Sequence, residues 1–196
     1  MSMTIISDLN QKPGKHDIKE AWWADNGIDV WRYRLPCGDY IMANDKVYDM
    51  LARKKARGIP PKMMDFLGTY DIAIDSKRDV AEVAMDVCGP QHDRFRDELI
   101  LAQNNGIRLI ILVENKPEKI GKTNEWNPMI HTVEDLHKWR NPRLFIWEHG
   151  KQKYPRATRG ITLQKACMTL QNKYGCTFVF CSPEDAGKTI IELLTK

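Results

Sequence analysis

The pattern of apolar and polar positions predicts strands with two helices between them in the first third of the chain and helix–strand alternation after residue 70. Residues 3–7 form a short apolar run and predict a first strand ending at Asp8. Residues 17–26 predict a short helix, with Asp17 as cap, Glu20 three residues later, and Trp22 and Trp23 for packing. Residues 28–35 alternate through Ile28, Val30, Tyr33 and Leu35, a strand stopped by Pro36. Cys37-Gly38-Asp39 is a glycine-hinged turn into another strand at 40–42. Residues 45–57 predict a basic helix that buries Val47, Met50 and Leu51 and is ended by Gly58, Pro60 and Pro61.

Residues 72–79 read Ile-Ala-Ile-Asp-Ser-Lys-Arg-Asp. Ile72 and Ile74 mark a buried strand, and Asp75 and Lys77, two apart, leave it on one face. Residues 80–87 predict a helix with Glu82 and Asp86 exposed, broken at Gly89-Pro90. A second helix, 93–105, has Phe95, Leu99, Ile100 and Ala102 on its apolar side and Gly106 at its stop. Residues 107–113 are almost continuously apolar, as in a strand covered on both faces, and end at Glu114. Residues 115–127 are polar and loop-like; a short helix is expected near 133–136. Residues 148–159 are basic and turn-rich, either a connector or a contact for nucleic acid. An amphipathic helix over 161–174 is closed by Gly175, a strand follows over 176–181, and Ser182 and Pro183 open a last helix through 194. This order predicts one α/β domain over 1–196, a central mixed sheet flanked by helices.

Composition narrows the function classes. The 196 residues carry 30 Lys and Arg against 26 Asp and Glu, a charge of +4 that fits nucleic-acid contact without demanding it. No apolar run has membrane-crossing length, and the first eight residues lack the flank and core of a signal peptide. Five cysteines without a Cys-x-x-Cys pair predict reduced thiols in a cytoplasm and no zinc site. Gly121-Lys122-Thr123 and Gly187-Lys188-Thr189 end like phosphate loops, but Lys116 and Ser182 stand where the earlier glycine belongs, so no nucleotide cofactor is expected. The histidines are scattered, and no Gly-x-Ser-x-Gly elbow occurs.

What remains is a set of carboxylates at predicted strand ends: Asp8, Asp39, Asp75 and Glu114. Each alone is an ordinary turn residue. Brought together beside Lys77 they would repel unless a cation, a proton or nearby Lys and Arg compensated, and oxygen ligands favour Mg2+ or Mn2+.

Four segments in order resemble the nuclease domain of XPF-type structure-specific endonucleases, within the PD-(D/E)xK superfamily: Gly38-Asp39-Tyr40, Ile74-Asp75-Ser76-Lys77, 93–98 (Asp-Arg-Phe-Arg-Asp-Glu) and the apolar strand ending in Glu114. Asp8, Gln11 and Gly14-Lys15-His16 are similar to the family's opening segment, and the helix, Tyr174-Gly175 and Phe178-x-Phe180 to its closing part. The whole resembles the small single-domain bacterial and phage relatives. The resemblance implies a restriction-endonuclease-like fold and Mg2+- or Mn2+-dependent cleavage of branched or structured DNA in repair, recombination or phage DNA processing. It further implies a possible homodimer and a cytoplasmic setting. Asp39, Asp75 and Lys77 become the catalytic candidates, with Asp39, Asp75 and the Ser76 carbonyl on metal and Asp8, Glu98 and Glu114 as possible additions. Lys15, His16, Arg53, Lys54, Arg57, Arg94, Lys153 and Arg156 are candidate nucleic-acid contacts.

Three departures bear on activity. Asp75 stands where the family has Glu, Ser76 where it has Arg, and Ala81 where an acid is expected four residues after the lysine, with Glu82 and Asp79 as the candidate substitutes. They leave a second reading open, a DNA-binding module that keeps the fold without catalysis.

Overall fold

The apolar run after residue 107 becomes an interior strand, and the rest of the chain is laid around it. The computed structural model describes residues 3–11 and 17–196. Its main sheet has six strands in the order β10-β5-β4-β3-β1-β2: β1 (Thr4–Asp8), β2 (Asp29–Tyr33), β3 (Tyr40–Met42), β4 (Ile72–Lys77), β5 (Arg108–Glu114) and β10 (Thr177–Cys181). β4 pairs in parallel with β5, and β5 with β10; β1 pairs in parallel with β2. β3 runs antiparallel to both its neighbours, β1 and β4. Its amino end therefore lies beside the carboxyl ends of β1, β4 and β5. Asp8, Asp39, Lys77 and Glu114, spread over a hundred residues of sequence, share one edge of the sheet for this reason.

Helices cover both faces, as the continuous burial of Leu109–Val113 in β5 requires. On one face Ile6, Ile41, Ala73, Leu109, Ile111 and Val113 pack against α2 (Asp45–Ala56), α3 (Val80–Cys88), α4 (His92–Asn104) and α5 (Gly160–Tyr174). On the other, Ile5, Tyr40, Ile74, Ile110 and Leu112 meet α1 (Asp17–Asp25) and α6 (Ala186–Leu194) through Trp23 and Ile190. The Trp23 indole lies edge-on to Tyr40 at 5.3 Å, and its N–H donates to the Gly187 carbonyl at 2.9 Å. A side chain at Gly187 would come within 3.3–3.4 Å of the α1 backbone at Lys19, so glycine there lets α6 lie close on α1. It serves helix packing inside α6 rather than phosphate binding.

Three expectations are corrected. The last helix begins at Ala186, after Ser182 and Asp185 close a turn through the Ser182 Oγ to Asp185 Oδ2 hydrogen bond at 2.8 Å. Asp86 is not exposed; it turns inward on α3. The polar stretch after Glu114 is not simply loop. Residues 115–127 hold a hairpin, β6 (Glu118–Lys119) with β7 (Trp126–Asn127), and a second, β8 (Trp147–Glu148) with β9 (Lys151–Gln152), opens the basic, turn-rich segment further on. Short 3-10 helices at Glu134–Lys138 and Pro142–Phe145 lie between them.

Buried asparagine amides pin this region to backbone. Asn115 donates to the Ile130 carbonyl at 3.0 Å and accepts from its N–H at 2.7 Å; Asn127 does the same with Arg140 at 2.8 and 2.7 Å. Asn141 donates to the Thr158 carbonyl at 3.0 Å. The β8–β9 turn places His149 (φ 48°) and Gly150 (φ 75°) in the left-handed region, as two-residue hairpin turns of this hand require.

Candidate active site

Asp39 is placed by its own backbone. Its N–H donates to the Ile74 carbonyl of β4 at 2.7 Å and its carbonyl accepts from Asp8 N–H at 2.8 Å. The Ser76 N–H then donates to Asp39 Oδ2 at 2.9 Å, which fixes the carboxylate against β4. Gly38 makes this approach sterically possible. It has φ +73°, and a Cβ there would sit 2.8 Å from the Ala73 side chain and 3.2 Å from the Ile74 carbonyl. The turn glycine thus admits the neighbouring strand, not a ligand.

Strand periodicity sends Asp75 and Lys77 to the face covered by α3 and α4. Lys77 Nζ lies 2.8 Å from Asp75 Oδ2 and 2.8 Å from Asp86 Oδ2 on α3, with the Phe95 ring of α4 5.2 Å away. Glu98, one turn beyond Phe95 on α4, accepts from Gly38 N–H at 2.9 Å. Asp39, Asp75, Asp86 and Glu98 thus crowd around a single buried lysine. Burial and then Asp75 push the Asp39 carboxyl up to about 8, against the Ser76 N–H and Lys77, which pull it down. Burial and Asp75 likewise push Glu98 up to about 7. For Lys77, burial alone would favour the neutral amine, but Asp75 and Asp86 outweigh it and hold the ammonium above the ordinary lysine range.

Ser76 points to the opposite face. Its Oγ donates to Glu114 Oε1 at 3.0 Å and accepts from Lys19 Nζ of α1 at 3.2 Å, and Lys19 is ion-paired with Glu114. Lys19 is only 3% exposed. Lys19 of α1 thus brings a buried cation to Ser76 and Glu114 at the end of the strands.

Sequence reasoning missed Lys19 and Asp86. A signal for the first existed: Lys19 lies four residues before fully buried Trp23, on the same face of α1.

The groups open into a cleft of about 660 Å³ lined by Asp39, Asp75, Ser76, Lys77, Glu114 and Lys19, with Arg94 and Arg78 at its walls. Asp8 does not line it: its carboxylate oxygens accept from the N–H groups of Asn10 and Leu35, both at 2.7 Å. Arg53 and Lys54 lie elsewhere, on α2, and Arg57 caps the end of that helix; Lys54 is paired to Asp65 at 2.7 Å. Lys153 pairs with Glu148 at 2.6 Å on the β8–β9 hairpin, and Arg156 lines an adjoining groove. Lys15 and His16 lie outside the described residues.

Among the described residues, no three His, Cys, Asp or Glu side chains are gathered to hold a metal by themselves. Mg2+ commonly takes one or two protein carboxylates and completes its shell with water and substrate phosphate. Asp39 and Asp75, two carboxylates in a cleft with an acidic surplus, fit that requirement.

The fold is a six-stranded mixed sheet flanked by helices with the acidic cluster at one end of its strands, and solved structures share that fold. XPF from Aeropyrum pernix superposes with a TM-score of 0.51 at 14% identity over 97% of this chain and 63% of its own. The same protein in complex with DNA gives 0.54 at 14% identity over 98% and 64%. The chain therefore spans somewhat less than two thirds of the length of the solved structures it resembles. No family model and no curated protein matches the sequence.

Proposed function

We propose that this chain is a Mg2+- or Mn2+-dependent endonuclease that hydrolyses phosphodiester bonds in branched or otherwise structured DNA. The observation that carries the reading is the meeting of Asp39 and Asp75 beside Lys77, which is ion-paired to Asp75 at 2.8 Å, in an open cleft with Arg94 and Arg78 on its walls. Hydrolysis forms one P–O bond to water and breaks one to a sugar oxygen. Asp39 and Asp75, with the Ser76 carbonyl, would hold the cation, which when bound supplies Lewis acidity toward phosphate oxygen and a water of lowered pKa. Lys77, fixed by two carboxylates, acts as a donor that orients water or meets charge on phosphate, not as a base. Asp86 holds that ammonium in place, and Arg94 binds phosphate. Glu114, with Lys19, shapes the opposite wall. Asp8 supports the turn carrying Asp39.

The proposal includes a cytoplasmic setting in a bacterial or phage-infected cell, in DNA repair, recombination or phage DNA processing. No helix among the described residues is long and apolar enough to cross a membrane. The reading without catalysis draws on Ser76 in place of arginine; Lys19 weakens that objection by bringing a cation to Ser76.

The test is cleavage of flapped, branched and nicked DNA by purified protein with each metal. The expected result is metal-dependent product that Asp75→Ala abolishes. Absence of product from every substrate with both metals, or a fully active Asp75→Ala, ends the proposal.

A further inference from the structure

We propose that residues 140–159, with Trp126, form a stacking arm for an unpaired nucleic-acid strand beside the cleft. The placement of that strand's phosphates rests on the nuclease reading; the arm's chemistry does not. Residues 140–159 carry six cations, Arg140, Arg143, Lys151, Lys153, Arg156 and Arg159, against one carboxylate, Glu148. Aromatic rings are interleaved with them. Trp147 is 65% exposed at the head of the β8–β9 hairpin, and Trp126, on β7, is 62% exposed. Large apolar rings left this open, among cations, mark a binding surface more than a stability device.

The two hairpins share one anchor. Glu125, next to Trp126, is ion-paired with Arg140, whose guanidinium lies 4.7 Å from the Phe145 ring centroid, two residues before Trp147. Arg143 and Lys153 each sit 5.6 Å from the Tyr154 ring. The arm also reaches the catalytic edge. Arg143 and Arg156 line a groove with Arg78, Glu82, Met85 and Asp86 of the α3 side, and Arg78 and Glu82 also line the cleft holding Asp75 and Lys77. Arg143 contacts Met85 Sδ at 3.2 Å.

A paired strand hides its base faces in the stack and offers mainly phosphates. Exposed rings framed by cations suit a strand whose bases are open, since stacking tolerates any base and the cations track the backbone. The occupant assigned here is therefore single-stranded nucleic acid, such as the unpaired part of a branched substrate.

The test is a fluorescence titration of the whole protein in EDTA, with an oligothymidylate of about 15 nucleotides against a blunt duplex of equal length. The oligonucleotide is expected to quench tryptophan emission and bind more tightly than the duplex. Trp147→Ala should weaken it by about five- to a hundredfold, with Trp147→Phe retaining most of the affinity. Arg143→Ala and Arg156→Ala should each flatten the salt dependence by roughly 0.7 in log–log slope. A duplex bound as tightly as the single strand, or Trp147→Ala binding as the parent does, overturns the arm. Cleavage with metal is scored on the same preparations. Protein that binds through Trp147 yet cuts nothing supports the arm and removes the nuclease reading. Protein that cuts structured DNA while Trp147→Ala binds normally does the reverse.

Discussion

The two faces of the sheet meet at the edge that holds the acidic cluster with opposite charge arrangements. On the α1/α6 face, Glu114 is met by one cation, Lys19, and a hydroxyl, Ser76. That pair is neutral and closed. On the α3/α4 face, Asp75, Asp86, Asp39 and Glu98 surround one lysine. That cluster carries a surplus of carboxylates, and burial with the repulsion from Asp75 raises the Asp39 and Glu98 carboxyls above the ordinary carboxylate range. Under the proposed function, the difference says where a divalent cation would be useful. A neutral wall gains little from one, whereas an acidic cluster exchanges protons for it.

The sharpest way to break this comparison is on activity. Asp75→Asn should lower metal-dependent cleavage by about a hundred- to a thousandfold, the scale of losing one preorganised electrostatic group. Glu114→Gln, on the neutral wall, should cost much less; equal losses in single-turnover rates would erase the distinction.

Next comes stability on the closed face. Lys19→Met leaves Glu114 buried without its cation, at a cost of about 3 kcal/mol, or a Tm lower by on the order of 10 °C. Adding Glu114→Leu should restore most of the loss in thermal unfolding, because removing both charges avoids stranding either. No rescue would mean that Lys19 acts on something else.

A third prediction concerns pH. Asp39 is raised to about 8 and Glu98 to about 7 in the folded protein, whereas unfolded carboxylates titrate near 4. Between these values the native state binds more protons than the unfolded one. Their contribution is therefore fully present below about pH 4 and is lost as pH rises through 7 to 8. The Tm of metal-free protein should fall from pH 5 to pH 8, and Glu98→Gln should flatten that fall. A flat wild-type profile over this window contradicts the acidic surplus. The smallest effect is at Ser76→Ala, which removes only the hydroxyl between Lys19 and Glu114. About 1 kcal/mol in urea unfolding is expected, and a loss several times larger would give the hydroxyl a greater role.

Much of this edge was legible in the sequence because local pattern determined it. Two-residue spacing put Asp75 and Lys77 on one face, and they are ion-paired there. The apolar run ending at Glu114 specified an interior strand, and it is one. What was not legible came from other elements. Lys19 and Asp86 arrive from helices, and which helix faces which sheet end depends on tertiary packing rather than spacing. Asp8 looked like a further member of the cluster but spends its oxygens on Asn10 and Leu35 backbone, a choice set by the loop's path. The hairpins beyond Glu114 were hidden for another reason. Their strands have two residues each, too few for alternation to register, and buried asparagines hold them where apolar side chains would normally do so.

The central claim is that the acidic face exchanges protons for a divalent cation while the paired face does not. Its most direct measurement is the Tm of the protein at pH 8 with and without millimolar Mn2+, for wild type, Asp39→Asn, Asp75→Asn and Glu114→Gln. The expected result is a rise on adding metal in wild type and Glu114→Gln, set by ligand binding to the native state alone, and its loss in both Asp variants. An equal rise in all four proteins, or none in wild type, would contradict it.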